Sequence, residues 1–141
     1  MKIAIISCSK TKRAGVHKAQ DLYTSLRFNL SWEYANKHFD CVYILSAKHG
    51  LLDPETRIRD YNFSMAEMSA EERRSWSRRV AVTLEEYTSP SDELSFFCGI
   101  PYREHVIALL TEKGFSCESP LRGLPFGRQT QWLQKQLCVN T

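Results

Sequence analysis

The chain has 141 residues, of which 43% are hydrophobic and 25% are charged, with 6 Gly and 5 Pro. These proportions are typical of a folded globular protein and exclude a collagen-like, low-complexity or disordered chain. A chain of this length buries roughly 70% of the surface that unfolding exposes, so residues 1–141 are predicted to form a single domain. The net charge of +3 is too small to establish a nucleic-acid partner by itself.

The five cysteines are widely separated, and no CxxC pair occurs. Cys8, Cys41 and Cys98 lie in apolar runs that are predicted to be buried strands. This pattern is typical of free thiols in a reducing compartment, and the spacing of a zinc site is absent, so we expect neither a metal nor a cofactor. The N-terminal apolar stretch is too short for a signal peptide or a membrane span. We therefore expect a cytoplasmic protein without a membrane partner.

Residues 2–8 form a continuous apolar run rich in β-branched side chains, which predicts a strand buried on both faces. A polar loop follows. Residues 21–39 predict one amphipathic helix because apolar side chains recur at every fourth position. The residues of this stripe are Leu22, Leu26, Leu30 and Tyr34. Residues 41–45 repeat the buried-strand pattern, and the segment SAKHGLLDP after them is predicted to be a loop.

Ser69 and Glu72 form a capping-box pattern, which predicts a helix that continues to about Tyr87. Residues 94–98 predict a third strand. The remaining predicted elements are a helix over residues 102–110, a short fourth strand over residues 115–118 and a last helix over residues 127–137.

Short apolar strands that alternate with helices predict an α/β three-layer sandwich, with a mostly parallel central sheet of about four strands flanked by helices. Ligands bind beyond the carboxyl ends of the strands in such sheets. The loops CSKTKR, SAKHGLL and CGIPYRE follow the three predicted strands. We therefore expect these loops to meet at one edge of the sheet.

The first loop offers hydroxyl, ammonium and backbone donors that suit a phosphate or a carboxylate. Its candidate ligand-binding residues are Cys8, Ser9, Lys10, Thr11 and Lys12. The alternative is a solvated basic turn, and Cys8 is either a nucleophile or a small core residue. The glycines and the GK[ST] end of a P-loop are absent.

In the second loop, His49 lies just beyond a predicted buried strand, which suits proton transfer. Ser46 and Lys48 are its neighbours, and Gly50 permits close approach of the backbone to a ligand. The alternative is a solvated or structural histidine. A serine-hydrolase site is not predicted, because no GxSxG turn is present.

The later segments offer glycines and cations that suit a planar or anionic ligand. The candidates are Gly99, Tyr102, Arg122, Gly127 and Arg128. The alternative for the glycines is an ordinary turn. A basic cluster, Arg73, Arg74, Arg78 and Arg79, surrounds Trp76 on a predicted helix. It is either a solvated face or a surface on which an aromatic ring stacks against nucleic acid.

Nearly the whole chain resembles a small bacterial and phage family of unknown function. The segments that carry this resemblance are SCSKTKR, DLYTSLRF, YILSAKHGLLDPETRIRDY, CGIPYRE and PLRGLPFGRQTQWL. That family is distantly similar to the YaaA-like peroxide-stress proteins, with their S-x-x-K-T element and LSxxYGLLxPxxxIxPY block. The matching residues here are Ser7, Lys10 and Thr11, then Ser46, Gly50, Leu51, Leu52, Pro54, Ile58 and Tyr61. His49 and Asp60 depart from the block, where the stress proteins have an aromatic residue and a proline.

The CS-x-x-K start is also similar to the catalytic domain of archaeosine synthase. Both similarities imply a uracil-DNA-glycosylase-like fold with a pocket for a nucleotide or nucleobase. The basic helix from Arg73 to Arg79 and the mild positive charge favour DNA or RNA as a further partner. Under an enzyme reading, the protein cleaves a glycosidic bond or modifies a base. The implied roles are oxygen binding by Lys10, Lys12 and Arg128, protonation of the base by His49, stacking by Tyr23 or Tyr102, and orientation of water by Ser9 or Ser46. The alternative is a non-catalytic nucleic-acid-binding or nucleotide-sensing protein of stress or phage–host conflict.

Overall fold

A computed structural model describes residues 1–139 of the chain. Its central sheet has five strands in the order β4–β3–β1–β6–β7. These strands are β1 (Lys2–Ser7), β3 (Cys41–Ser46), β4 (Gly50–Leu52), β6 (Glu93–Phe97) and β7 (Ser116–Glu118). Strand β1 pairs in parallel with β3 and β6, and β6 pairs in parallel with β7, whereas β4 is antiparallel to β3. The predicted α/β class with a mostly parallel sheet is confirmed.

The helices are α1 (Ala19–Leu22), α2 (Leu26–His38), α3 (Ala70–Tyr87), α4 (Ile100–Glu112) and α5 (Phe126–Val139), with a 3-10 turn at Met65–Glu67. They cover both faces of the sheet. Ile3 and Ile5 of β1 pack in a core with side chains of α3 and α4. Ala4 and Ile6, which point to the opposite face, pack in a core with side chains of α1, α2 and α5. This two-sided burial explains why β1 is apolar at every position after Lys2 up to Ser7.

The expected number of about four strands was too low. The sheet has five strands, and a separate antiparallel pair is formed by β2 (Val16–Lys18) and β5 (Arg57–Arg59). Each of β2, β4 and β5 has three residues. Such short strands leave no periodic pattern in the sequence, because alternation becomes recognisable only over about four to eight residues.

The single helix predicted over residues 21–39 was also wrong, because the chain breaks between α1 and α2. Ser25 caps α2, and its Oγ accepts a hydrogen bond from the backbone N of Phe28 at 3.1 Å. Leu22 lies before the break and is buried, whereas Leu26 is 58% exposed. The four-residue spacing of the leucines therefore crosses two helices, and α2 buries the face that carries Phe28, Ser31 and Ala35.

The capping box predicted at Ser69 and Glu72 is confirmed at the start of α3. No helix within residues 1–139 is long and apolar enough to cross a membrane.

Candidate functional site

The first loop begins beside the ends of two neighbouring strands. The backbone N of Cys8 donates to the carbonyl oxygen of Leu45 at 2.8 Å, which extends the pairing of β1 with β3 by one residue. The Sγ of Cys8 lies 3.4 Å from the hydroxyl of Tyr102, near the start of α4. The first loop and the connection after β6 therefore meet at the carboxyl edge of the sheet, where α/β proteins bind ligands.

A chain of three hydroxyl groups fixes the end of β3. The hydroxyl of Tyr61 lies 2.7 Å from Ser46 Oγ and 2.8 Å from the hydroxyl of Tyr23. Ser46 Oγ also accepts a hydrogen bond from the backbone N of His49 at 3.0 Å. We call Tyr23, Ser46 and Tyr61 the hydroxyl network. Ser46 and Tyr23 are buried, so both hold the protein's own structure rather than line a cavity.

Two lysines lie near the ring of Tyr61. The Nζ of Lys12 is 4.3 Å from the ring centre, and the Nζ of Lys48 is 5.7 Å from it. Lys12 also donates a hydrogen bond to the carbonyl oxygen of Lys10 at 3.1 Å. Burial lowers the pKa of Lys12, whereas burial raises the pKa of Tyr61 far above its ordinary value. Tyr61 therefore stays neutral at physiological pH, and its ring offers the cations a cation–π contact.

A cavity of about 360 Å³ opens between the first loop and the segment after β5. We call it the lysine cavity. Its lining residues are Cys8, Ser9, Lys10, Lys12, Asn62, Phe63, Ser64, Glu67 and Tyr102. Glu67 is the acidic residue of this lining. One of its carboxylate oxygens accepts a hydrogen bond from the backbone N of Ser64 at 2.7 Å. Burial raises the pKa of Tyr102, so its hydroxyl is available as a neutral hydrogen-bond donor.

A second cavity of about 340 Å³ lies on the other side of the first loop. We call it the arginine cavity. Its lining residues are Cys8, Ser9, Lys10, Thr11, Ser25, Arg27, Phe28 and Phe126. Cys8, Ser9 and Lys10 line both cavities, so this segment forms a ridge between them.

His49 lies outside both cavities. It is exposed and lines a smaller cavity of about 220 Å³ with Trp76 and Arg79. Its ring meets the ring of Tyr61 edge-on, with 5.4 Å between the ring centres. Burial and the nearby Lys48 lower the pKa of His49, so the neutral imidazole is favoured. The structure does not bring His49 and Lys10 into a shared cavity.

A comparison with protein families identifies the group to which the sequence is related. The model of a family of unknown function, DUF6884, matches residues 3–135. The chain belongs to the DUF6884 family. No curated protein and no solved structure matches the chain. The description of this family assigns no activity.

The structure of this DUF6884 member explains the sequence block that runs from Ser46 to Tyr61. Its two end residues are hydrogen-bonded to each other in the hydroxyl network. Gly50 has a φ of +75°, which side-chain-bearing residues rarely adopt, and it begins β4 after the turn that follows β3. Ile58 is buried in β5. The block therefore builds a turn and a bonded pair that support the edge of the sheet.

Other candidates lie at separate places. Lys48 lines a neighbouring cavity of about 470 Å³, which shares Asn62 and Phe63 with the lysine cavity but none of the residues of the first loop. Gly99 is the N-cap of α4 with an ordinary φ of −69°, so its backbone does not require glycine.

The late basic candidates do not reach the lysine cavity. Arg122 is exposed and lines a cavity of about 560 Å³ with Arg103 and Glu118. Gly127 and Arg128 are exposed in the first turn of α5, and no atom lies within 4 Å of a Cβ built at Gly127. It is Phe126 of this helix that lines the arginine cavity.

The stacking role considered for Trp76 was wrong. Trp76 is 1% exposed, and its Nε1 donates to the carbonyl oxygen of Ser46 at 3.0 Å. A ring in this position packs in the core and cannot meet a base. Helix α3 also carries as many glutamates as arginines, namely Glu71, Glu72, Glu85 and Glu86 against Arg73, Arg74, Arg78 and Arg79.

Arg27 is the functional candidate that the sequence reasoning missed. It lay inside the predicted helix 21–39 and had no pattern to distinguish it from a surface arginine. A helix start assigned to Ser25, a residue type preferred at N-caps, would have placed Arg27 in the first turn, close to the first loop.

Within residues 1–139, no cluster of three or more His, Cys, Asp or Glu residues is arranged to hold a metal ion.

Proposed function

We propose that the protein is an enzyme that binds a nucleotide or nucleobase in the lysine cavity and either cleaves its glycosidic bond or modifies the base. The observation that carries this proposal is the concentration of cations at the carboxyl edge of the sheet. Lys10 and Lys12 line the cavity, and neither takes part in an ion pair among residues 1–139. Cations that lack a protein carboxylate are available to phosphate or sugar oxygens of a ligand.

The other walls of the lysine cavity suit the remaining parts of such a ligand. Phe63 and Tyr102 provide aromatic surface for a base, and the Tyr102 hydroxyl provides a donor. Glu67 is the one carboxylate in the lining, and it is a candidate for proton transfer to a departing base or from a water molecule. In a hydrolytic reaction, water would supply a hydroxyl group to the sugar carbon and a proton to the base.

The role that we propose for His49 differs from the proton transfer expected from the sequence. It contacts the Tyr61 ring from outside the lysine cavity, so we assign it a positioning role through the turn that it shares with Ser46. Direct proton transfer by His49 remains the alternative, and the variants below separate the two roles.

The resemblance to YaaA-like proteins and to archaeosine synthase supports this proposal and extends it to a uracil-DNA-glycosylase-like architecture. Two observations support it: the S-x-x-K-T element runs from the end of β1 into the first loop, and Ser46 and Tyr61, at the two ends of the longer block, are hydrogen-bonded to each other. Membership of this architecture is part of the proposal.

The test is an assay for base release or base modification on the common nucleosides and nucleotides, followed by chromatography. We expect Lys10→Ala to lower kcat/KM by about 10- to 100-fold, the loss of a charge-assisted hydrogen bond. The matched control is Lys135→Ala, which removes an exposed lysine of α5. If His49 is a positioning residue, His49→Ala should lower kcat/KM by a smaller factor than Lys10→Ala does. Full activity in both Lys10→Ala and His49→Ala would overturn the proposal.

The non-catalytic alternative predicts a different result for the same purified protein. A nucleic-acid-binding protein would bind oligonucleotides with an affinity that falls steeply with salt, and it would form no product. Helix α3 does not support this alternative, because its positive and negative charges balance and Trp76 is buried. Salt-dependent binding without turnover would nevertheless favour it over the enzyme proposal.

A further inference from the structure

Arg27 is a partly buried cation whose surroundings leave it without a carboxylate. Its Nε donates to Gln129 Oε1 at 2.9 Å, and its Nη1 lies 3.4 Å from Ser7 Oγ. None of the ion pairs among residues 1–139 includes Arg27. Burial lowers the pKa of its guanidinium, which reflects the cost of removing this charge from water. A charge in such a position is normally balanced by an anion.

The arginine cavity provides room for that anion. Its lining places the Arg27 guanidinium with Lys10 and with the hydroxyl-bearing residues Ser9, Thr11 and Ser25. No Asp or Glu is present in this lining. The hydrogen bonds to Gln129 and Ser7 occupy two of the guanidinium's five N–H donors and hold it in place, while the other donors remain for a ligand. A planar guanidinium with free donors matches the oxygens of a phosphate group.

The ridge formed by Cys8, Ser9 and Lys10 connects this cavity to the lysine cavity. A ligand that extends over the ridge can therefore place one part on each side, with Lys10 in reach of both. Both cavities have aromatic residues in their lining, but only the lysine cavity has a carboxylate, that of Glu67, and only the arginine cavity has the fixed guanidinium. The two sides differ in the chemistry that they recognise.

We propose that the arginine cavity is a phosphate subsite, in which Arg27 and Lys10 bind the phosphate of a nucleoside monophosphate whose base and sugar lie in the lysine cavity. This inference rests on the proposed function, because it takes the ligand of the lysine cavity to be a nucleoside. It narrows the substrate class to phosphorylated nucleosides and assigns a role to a residue that the proposed catalytic site does not use.

The experiment compares three probes by isothermal titration calorimetry: a nucleoside 5′-monophosphate, the matching nucleoside and inorganic phosphate. Each of the common bases is tested. The wild-type protein should bind the monophosphate about 10- to 100-fold more tightly than the nucleoside, the contribution of one charge-assisted contact. Arg27→Gln should remove this advantage and leave the affinity for the nucleoside unchanged. Arg57→Gln removes an exposed arginine of β5 and should keep the full advantage.

Equal affinities of the wild-type protein for monophosphate and nucleoside would overturn the phosphate subsite and leave the proposed function standing. An advantage that persists in Arg27→Gln would overturn it as well. Absence of binding by every nucleoside and monophosphate would overturn both proposals.

Arg27 also anchors Gln129 of α5, so the thermal midpoint of Arg27→Gln is measured first. If this variant does not fold, Lys10→Gln replaces it, because Lys10 is exposed and lines the same cavity. Lys10→Gln should reduce the advantage of the monophosphate, and an unchanged advantage in that variant would overturn the subsite.

Discussion

Tyr61 combines two kinds of interaction in a single side chain. Its hydroxyl joins the hydroxyl network with Tyr23 and Ser46, and its ring lies near the ammonium groups of Lys12 and Lys48. The network links the end of β3 to the connection between α1 and α2. Tyr61 therefore supports the structure of the candidate site without lining the lysine cavity itself, whereas the next two residues, Asn62 and Phe63, do line it.

Substitution of Tyr61 by Phe tests the network directly. Tyr61→Phe keeps the ring and removes the hydroxyl that lies within hydrogen-bond distance of Tyr23 and Ser46, so we expect the free energy of unfolding to fall by about 1–3 kcal/mol. The measurement is urea denaturation followed by fluorescence. The control is Tyr87→Phe, since Tyr87 is 61% exposed, and it should change stability by less than about 0.5 kcal/mol. Equal stability of the two variants would show that the network contributes nothing.

The sequence predicted single residues unevenly. Lys10 and Lys12 were identified because they follow a recognisable buried strand, and a strand end fixes where its loop must lie. Arg27 was missed because the residue that holds its guanidinium, Gln129, is distant in the chain. Arg122 and Arg128 lie outside the lysine cavity, and nothing local in a sequence shows which strand-end loop a late segment of the chain approaches.

Among the connecting elements, the turn between β3 and β4 shows why a glycine occurs where it does. Gly50 pairs with Ser46 across this turn and has a φ of +75°. A Cβ added there would lie 3.8 Å from Val80 Cγ2, which is an ordinary contact, so the need for glycine comes from the backbone rather than from crowding. Gly99 has no such need, because its φ is −69°.

These two glycines form a matched pair of substitutions. Gly50→Ala should destabilise the protein by about 1–2 kcal/mol, the cost of a left-handed conformation for an L-residue. Gly99→Ala should lower the free energy of unfolding by less than about 1 kcal/mol, since its φ of −69° suits any residue and only the poorer N-capping by Ala is lost. Thermal unfolding by circular dichroism measures both. A larger loss in Gly99→Ala than in Gly50→Ala would contradict this account.

The long elements were predictable, whereas of the three-residue strands only β7 was predicted, as the short fourth strand over residues 115–118. Strands β1, β3 and β6 were predicted because each is a compact apolar run, and α3 was predicted because Ser69 and Glu72 mark its start. The break between α1 and α2 was hidden, because Leu22, Leu26 and Leu30 keep helical spacing across it. Only the tertiary structure shows that Leu26 faces solvent while Leu22 is buried.

Across the whole molecule, burial on both faces of the sheet determines how β1 contributes to stability. Neighbouring residues of a strand point to opposite faces, so Ile5 and Ile6 belong to different cores. Both are 0% exposed. Substitutions at adjacent positions of β1 should therefore lower the stability of the protein equally. In a strand with one face open to water, only every second position would have such an effect.

We expect Ile5→Ala and Ile6→Ala each to lower the free energy of unfolding by about 2–5 kcal/mol, the range for truncating a buried aliphatic side chain. Val82→Ala is the control, because Val82 is 52% exposed in α3, and its effect should stay below about 0.5 kcal/mol. Chemical denaturation of the three variants provides the comparison. A large loss in only one of the two isoleucine variants would contradict two equivalent cores.

The outermost strands of the sheet have a consequence for behaviour at high concentration. Both β4 and β7 are three residues long, and β7 carries exposed Ser116 and Glu118. An exposed edge strand can pair with a strand of a neighbouring molecule. Such pairing is favoured by a long, uncharged stretch of free backbone groups. The edge strands β4 and β7 offer only short stretches of such free backbone groups. We therefore expect the short edge strands to disfavour fibre-like polymerisation, even though the central strand β1 is apolar along most of its length.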